Sequence, residues 1–302
     1  MKIIICDSTD ASAIKKMRSA GLEVDVRDKI TSEELPEVLP AYDGMVVRSR
    51  TEVRAPLIDA APNLKVIVRG GVGLDNIDVD YALSKGILVL NTPAASSASV
   101  AELVIGYMFA MARHIYETSA SMKAGKWEKK KFKGQELGGK VLGILGLGNI
   151  GREVARRAMA LGMTVIAYDP YVSGIKGVEM VSLDEIFVRS DYLTLHLPHT
   201  DETHHIISTA EFEKMKPGVR VINCARGGVV DEDALYEALV SGKVAGAALD
   251  VYANEPSKGH KLFSLDQVIG SPHIGAATEE AQSRVGEEVA AKLIEFAHQH
   301  RS

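Results

Sequence analysis

The chain has 302 residues, enough for two domains of ordinary size, each with its own core. Hydrophobic content of 46% and charged content of 25% describe a soluble globular protein. Lys+Arg 35 against Asp+Glu 40 gives a net charge of −5, which argues against a nucleic-acid footprint spread over the surface. Cys6 and Cys224 both end apolar, strand-like runs, so reduced core thiols and a cytoplasmic location are expected. Met1-Lys2 leads directly into Ile3-Ile4-Ile5, with no visible signal peptide, and the other apolar runs are too short or too interrupted to span a bilayer.

From residue 1 to about 95, short apolar runs alternate with helical segments. The runs are Ile3–Cys6, Glu23–Val26, Met45–Val47, Lys65–Val68 and Ile87–Leu90, a pattern that predicts a parallel sheet with helices on both faces. Each run ends at a turn able to present side chains: Asp7-Ser8, Arg48-Ser49-Arg50, Arg69-Gly70-Gly71-Val72-Gly73 and Asn91-Thr92-Pro93. Ligands of open α/β sheets sit beyond the carboxyl ends of strands, so Arg48 and the Arg69–Gly73 loop are candidates for substrate contact. From Ser96 to about Lys123 the apolar residues recur at three- and four-residue spacing, which predicts one long helix that crosses between domains or pairs with a second subunit. The lysine-rich run Lys123–Lys133, around Trp127 and Phe132, reads as a solvated loop.

The stretch Lys140–Gly151 is the centre of the chain. Its apolar start reads as a buried parallel strand, followed by Gly146, Gly148 and Gly151 and then by helical spacing from Arg152 to Leu161. A second apolar run, Thr164–Tyr168, ends on Asp169. Strand, glycine turn, helix, strand and acid in that order form the dinucleotide-binding unit. Gly146 lets the chain turn, Gly148 lets a pyrophosphate approach the backbone, and Gly151 lets the helix pack on the strand. The helix N-terminus offers N–H groups to phosphates, and Asp169 can accept hydrogen bonds from ribose hydroxyls.

The alternation continues with strands expected at Val178–Val181, Tyr192–Leu197, Arg220–Cys224, Ala245–Val251 and Val268–Ile269. Helices are expected at Leu183–Arg189, Thr209–Lys216 and Asp231–Ser241, with Asp231 as an N-cap. A last amphipathic helix runs from Thr278 to His298, capped by Thr278-Glu279-Glu280. The expected layout is discontinuous: 1–95 with 280–302 in one domain and 96–279 in the other.

Three strand-end segments carry candidate chemistry: Asn223-Cys224-Ala225-Arg226-Gly227-Gly228, the run from Ala248 to Pro256, and Ser271-Pro272-His273-Ile274-Gly275. Removing hydride from a secondary alcohol needs a base for the hydroxyl proton, and histidine titrates in the right range. A carboxylate should fix the imidazole tautomer, as Glu255 can for His273. A cation must hold the acid, which suits the fork of Arg226, and an acceptor such as Asp250 should orient a nicotinamide amide.

The segments GLGNIG, HLPHT, INCARGGVVDE, AGAALDVYANEP and SPHIGAATEEAQ resemble the D-isomer-specific 2-hydroxyacid dehydrogenase family. Within it, VRSRTEV, GGVGLDNID, NTPAASSASVAEL and GKWEKKKFKGQEL are similar to the members that oxidise D-3-phosphoglycerate, the first step of serine biosynthesis. The resemblance implies an α/β architecture of two doubly wound parallel sheets, a Rossmann NAD-binding domain and a flavodoxin-like substrate domain. It implies Arg226, Glu255 and His273 as the catalytic set, with NAD as cofactor and no metal. Cofactor contacts are implied at Val72, Gly146, Gly148, Asn149, Ile150, Gly151, Asp169, Leu197, Cys224, Ala225, Arg226, Asp250, His273, Gly275 and Ala276. Substrate contacts are implied at Arg48, Arg69, Gly71, Val72, Arg226 and His273. A homodimer built around the long helix is implied, with Lys129 or a neighbour reaching across. Related members acting on glyoxylate, hydroxypyruvate or D-lactate, and a nucleotide-sensing corepressor of the same fold, are the rival readings. Gly70-Gly71-Val72 departs from the family's usual Ala-Gly-Thr, and the sequence stops at Ser302 without the C-terminal regulatory domain of many phosphoglycerate-oxidising members, so insensitivity to serine is expected.

Overall fold

Parallel strands buried on both faces need apolar side chains at nearly every position, and the short aliphatic runs supply them. In the computed structural model, which describes residues 1–300, they build two parallel sheets in two separate units. The first unit holds Met1–Ser96 and the chain from Ala276 onward, and the second holds Ser97–Gly275.

The first unit runs β1 (Lys2–Ile5), α1 (Ala11–Ser19), β2 (Glu23–Val26), α2 (Leu35–Val38), β3 (Gly44–Val47), α3 (Ala55–Asp59), β4 (Val66–Arg69), α4 (Val79–Ser84) and β5 (Leu88–Asn91). Its strand order is β2-β1-β3-β4-β5, all parallel, the flavodoxin-like arrangement whose order reverses between β1 and β3. The period of two sorts the side chains. Ile3, Ile5, Val46 and Val68 pack under α1 and the C-terminal helix against Met17, Val285, Val289 and Leu293. Ile4, Met45, Val47 and Ile67 face Leu35, Leu39, Ile58 and Ala82 on the other side. Asp10 caps α1 by accepting from the Ser12 N–H at 2.9 Å.

The second unit begins with α5 (Ser97–Arg113) and α6 (Ile115–Lys123). It continues through β6 (Val141–Leu145), α7 (Asn149–Ala160), β7 (Thr164–Tyr168), β8 (Glu179–Met180), α8 (Leu183–Arg189) and β9 (Tyr192–Leu195). Then come α9 (Thr209–Lys214), β10 (Val219–Asn223), α10 (Glu232–Val240), β11 (Val244–Leu249) and β12 (Val268–Gly270), after which α11 (Glu279–Gln299) belongs to the first unit. The strand order β12-β11-β10-β9-β6-β7-β8 is the Rossmann order with one further strand at the edge. Its order reverses between β6 and β9. Asp231 caps α10 through the Asp233 and Ala234 N–H groups, and Ser182 with Glu185 forms a capping box on α8.

One expectation is corrected. The helix expected without interruption from Ser96 to Lys123 breaks at His114, which adopts left-handed backbone at φ 51°. The returning chain supplies the reason: the Gln135 N–H takes the Ala112 carbonyl at 2.8 Å, so the helical ladder loses an acceptor there. Thr118 then takes the His114 carbonyl with both its N–H (2.9 Å) and its hydroxyl (2.7 Å), which starts the ladder of α6. Among the described residues no helix is long and apolar enough to cross a membrane.

At the Rossmann reversal, His196 leaves β9 beside the glycine turn and its N–H donates to the Leu145 carbonyl at 2.7 Å. Its Nε2 lies 3.1 Å from the hydroxyl of fully buried Thr194, while its Nδ1 is sealed from solvent without a hydrogen-bond partner. Burial lowers this imidazole to about 3, so it is neutral in the folded protein at physiological pH. A folded-state value below the unfolded 6.5 means that acid favours unfolding. Stability is whole above 6.5 and falls as the pH drops toward 3. At pH 5 the loss amounts to about 2 kcal/mol. His196→Gln should therefore lose about that much less stability than the unsubstituted protein between pH 7 and pH 5 in denaturant unfolding; an equal loss in both would contradict the assignment.

Candidate active site

In the second unit the site grows from the carboxyl end of β6. Gly146 has φ 93°, a left-handed conformation that lets the chain leave the strand, and a side chain there would stand 2.5 Å from the His196 carbonyl oxygen. Gly151 sits in the first turn of α7 against the Gly146 carbonyl, too close for any Cβ. Gly148 is different: a Cβ there would meet no protein atom within 4 Å. Packing does not require glycine at that position, and the open space in front of it is what an approaching pyrophosphate needs. The α7 N-terminus carries no side-chain cap, and a helix end of this kind can receive a ligand anion. Asn149 and Ile150 open the same turn. Asp169, at the end of β7, accepts from the Leu147 N–H (2.7 Å) and the Tyr171 N–H (2.8 Å), so it braces the glycine turn while keeping lone pairs for a ribose. These residues fit a dinucleotide.

Further along the sheet, the end of β10 carries Arg226. Asn223, 3% exposed, shapes this turn by accepting from the Ala225 N–H (3.1 Å) and donating to the Arg226 carbonyl (2.9 Å). Gly227 follows because the Tyr252 carbonyl lies where a Cβ would be, which brings the Arg226 loop against the segment that carries Glu255. Cys224 and Ala225 are buried, and burial first, then the neighbouring Asp250 charge, raises the Cys224 thiol well above its usual range. Cys224 is an inert core thiol.

Glu255 and His273 meet directly. The Glu255 Oε2 lies 2.8 Å from His273 Nδ1, and Oε1 accepts from the Tyr252 N–H at 3.1 Å. A carboxylate only accepts, so the Nδ1–H donates to Glu255 and the lone pair of neutral His273 lies at Nε2. Both side chains remain substantially exposed, at 46% for His273 and 36% for Glu255. A second pair supports the Glu255 loop: Glu232 accepts from the Ala253 N–H (2.8 Å) and bonds His260 at 2.9 Å. The Leu262 N–H donates to Nδ1 of His260, so Nε2 carries the proton toward Glu232. Asp250, 1% exposed, holds the His273 turn by accepting from the Ile274 N–H (2.8 Å), the Gly275 N–H (2.7 Å) and the Ser271 hydroxyl. Sequence reasoning saw the acid and missed those donors. Leu197, just past β9, is half-buried.

In the first unit the candidate residues lie beyond the carboxyl ends of β1, β3 and β4. Asp7, 3% exposed, accepts from the Arg48 N–H (2.5 Å), Arg50 Nε (2.8 Å), the Thr51 N–H (3.3 Å) and the Thr51 hydroxyl (3.0 Å). This commits Asp7 and Arg50 to building the loop, not to a ligand. Arg48 is presented by it: the guanidinium is held by Gln282 of α11, and burial, offset in part by Asp7, draws it below its ordinary value. Gln282 in turn donates to the Ala276 carbonyl at 2.7 Å. Neither Gln282 nor Asn223 carries a sequence signal beyond its residue type. Arg69 folds over Gly71, and the 69–73 loop is fixed from β5 by Asn91, which donates to the Val72 carbonyl (2.6 Å), and by the Thr92 N–H, which donates to Gly71 (2.9 Å).

Residues 105–275 match the D-isomer specific 2-hydroxyacid dehydrogenase, NAD binding domain. The chain is 51% identical to the hydroxypyruvate reductase of Thermotoga maritima over 298 residues, covering 97% of each chain. It is 49% identical to the D-3-phosphoglycerate dehydrogenase of Archaeoglobus fulgidus over 302 residues, covering 98% of this chain but only 57% of that one. The fold superposes on a glyoxylate reductase structure from Paecilomyes thermophila with a TM-score of 0.91 at 34% identity, covering 100% of this chain and 96% of that one. The glycine turn that leaves room for a pyrophosphate thus belongs to a known NAD-binding domain, and the chain is a member of the D-isomer specific 2-hydroxyacid dehydrogenase family.

Proposed function

We propose that this protein is an NAD-dependent dehydrogenase that oxidises D-3-phosphoglycerate to 3-phosphohydroxypyruvate, the entry step to serine. The observation that carries the reading is the His273–Glu255 pair, whose 2.8 Å contact at Nδ1 reserves Nε2 of the imidazole for a proton acceptor's role. His273 takes the 2-hydroxyl proton at Nε2, and Glu255 stabilises the imidazolium through Nδ1–H. Arg226 grips the substrate carboxylate with its planar fork. When bound, NAD supplies the nicotinamide that accepts the C2 hydride. Gly146, Gly148, the α7 N-terminus and Asp169 hold the dinucleotide, with the second unit as its domain and the first unit as the substrate domain. No arginine follows Asp169 to receive a 2′-phosphate, which favours NAD over NADP.

The phosphate is the discriminating group. Arg48, held by the Asp7-braced loop and Gln282, and Arg69 over Gly71 are the cations proposed to receive it. The full-length match to a hydroxypyruvate reductase supports a second reading, in which the substrate carries no phosphate. NADH formation against a panel of D-2-hydroxy acids separates the two: D-3-phosphoglycerate should exceed D-glycerate and D-lactate, with NAD far exceeding NADP. A charge-assisted contact to phosphate contributes about 1.5–3 kcal/mol, so Arg48→Ala should raise KM for phosphoglycerate roughly ten- to a hundredfold and leave D-glycerate nearly unchanged. Outright preference for D-glycerate would sink the phosphoglycerate reading.

A homodimer is proposed on the exposed apolar side chains around the His114 break. Ile115 (51%), Tyr116 (62%) and Met122 (55%) on α6 and Trp127 (80%) beyond it are unusually open for their size. Lys129 lies in the same loop and is the candidate to reach a second copy. Ile115→Asp combined with Tyr116→Glu should shift the sedimentation coefficient from dimer to monomer; an unchanged value would place the interface elsewhere.

A further inference from the structure

His273 occupies left-handed backbone at φ 53°, a conformation that side chains other than glycine adopt sparingly, so something must hold the turn in place. The holding group is the buried Asp250 carboxylate, which accepts from the N–H groups of Ile274 and Gly275, the two residues that follow His273. Asp250 is itself fixed from outside. The Ser271 hydroxyl donates to Asp250 Oδ1, and the Tyr107 hydroxyl of α5 contacts the same Ser271 oxygen. The direction of this chain follows from proton inventory. A carboxylate donates nothing, serine has one proton and spends it on Asp250, so Tyr107 must donate to Ser271. Burial holds the 7%-exposed Tyr107 phenol above its ordinary value, which keeps that proton in place. Two turns earlier on α5, the Ser99 hydroxyl donates to the Gly275 carbonyl at 2.7 Å. Helix α5 thus grips the turn at both ends.

We propose that Tyr107 and Ser271 are positioning residues for the reaction: acting through Asp250, they hold the His273 turn so that the imidazole meets Glu255 in the reactive orientation. The proposal rests on the reading of His273 as the proton carrier. It assigns no contact with substrate or cofactor to either hydroxyl.

The test combines Ser271→Ala, Ser271→Thr and Tyr107→Phe in the full chain. Removing the serine hydroxyl leaves Asp250 short of a donor in a dry site, and a lost bond of this kind is about a tenfold effect. Ser271→Ala should raise hydrogen–deuterium exchange of the Ile274 and Gly275 amides about tenfold without cofactor added, and lower kcat about tenfold with KM for NAD unchanged. Ser271→Thr, which keeps the hydroxyl, should restore both readings. Tyr107→Phe, which removes one oxygen and no packing, should show the same changes to a smaller degree. Exchange at the wild-type rate in both Ser271→Ala and Tyr107→Phe would overturn the clamp itself. Faster exchange with kcat untouched would overturn its part in the reaction, whereas a near-normal kcat in His273→Ala, measured alongside, would mark failure of the His273 reading instead.

Discussion

Each unit is organised by one carboxylate buried just beyond a strand: Asp7 after β1 and Asp250 after β11. Taking an ion of this size out of water costs several kcal/mol, and the cost is offset only if donors converge on it. Four converge on Asp7 and three on Asp250, from the loops that bear the candidate residues Arg48 and His273. Hydrogen bonds to a carboxylate are shorter and stronger than neutral ones, and converging on one acid they offset its burial and tie the loop to it. The acids therefore act as anchors: Arg48 and His273 are presented because the backbone beside each cannot leave without stranding a buried charge.

The glycine turn obeys a different constraint, that of space. At Gly146 and Gly151 the protein's own backbone forbids a side chain, so these glycines are required by the fold whether or not a ligand binds. At Gly148 nothing in the protein does. The open space there and the α7 N-terminus without a side-chain cap are what the proposed binding of dinucleotide phosphates draws on. Fold and binding are thus separable within six residues of sequence.

This separation explains what could be read from the sequence. The strands were legible because burial on both faces writes a continuous apolar run, and Asp231 and Thr278 were legible as caps because capping is local chemistry. The break at His114 was not, since its cause is the Gln135 N–H, which arrives from a later stretch of chain with no proline or glycine to mark the spot. Asp250 was read as an acid at a strand end free to meet an amide, because the N–H groups that claim it come from beyond β12. Arg50 likewise reads as a presented cation and turns out to be an anchor on Asp7 and on the Cys6 carbonyl. Residue type and spacing give the inventory of charges; only the fold says which of them are already spent on one another.

In the proposed reaction His273, oriented by Glu255, carries the substrate proton while the second unit holds NAD independently of it. The most direct measurement is kcat for oxidation of the preferred D-2-hydroxy acid in His273→Ala, taken together with the Kd for NAD from calorimetry. Loss of a positioned general base should lower kcat by about 10²–10⁴-fold, with the Kd within about threefold of the unsubstituted protein. A His273→Ala protein that turns over at a near-normal rate would contradict the account.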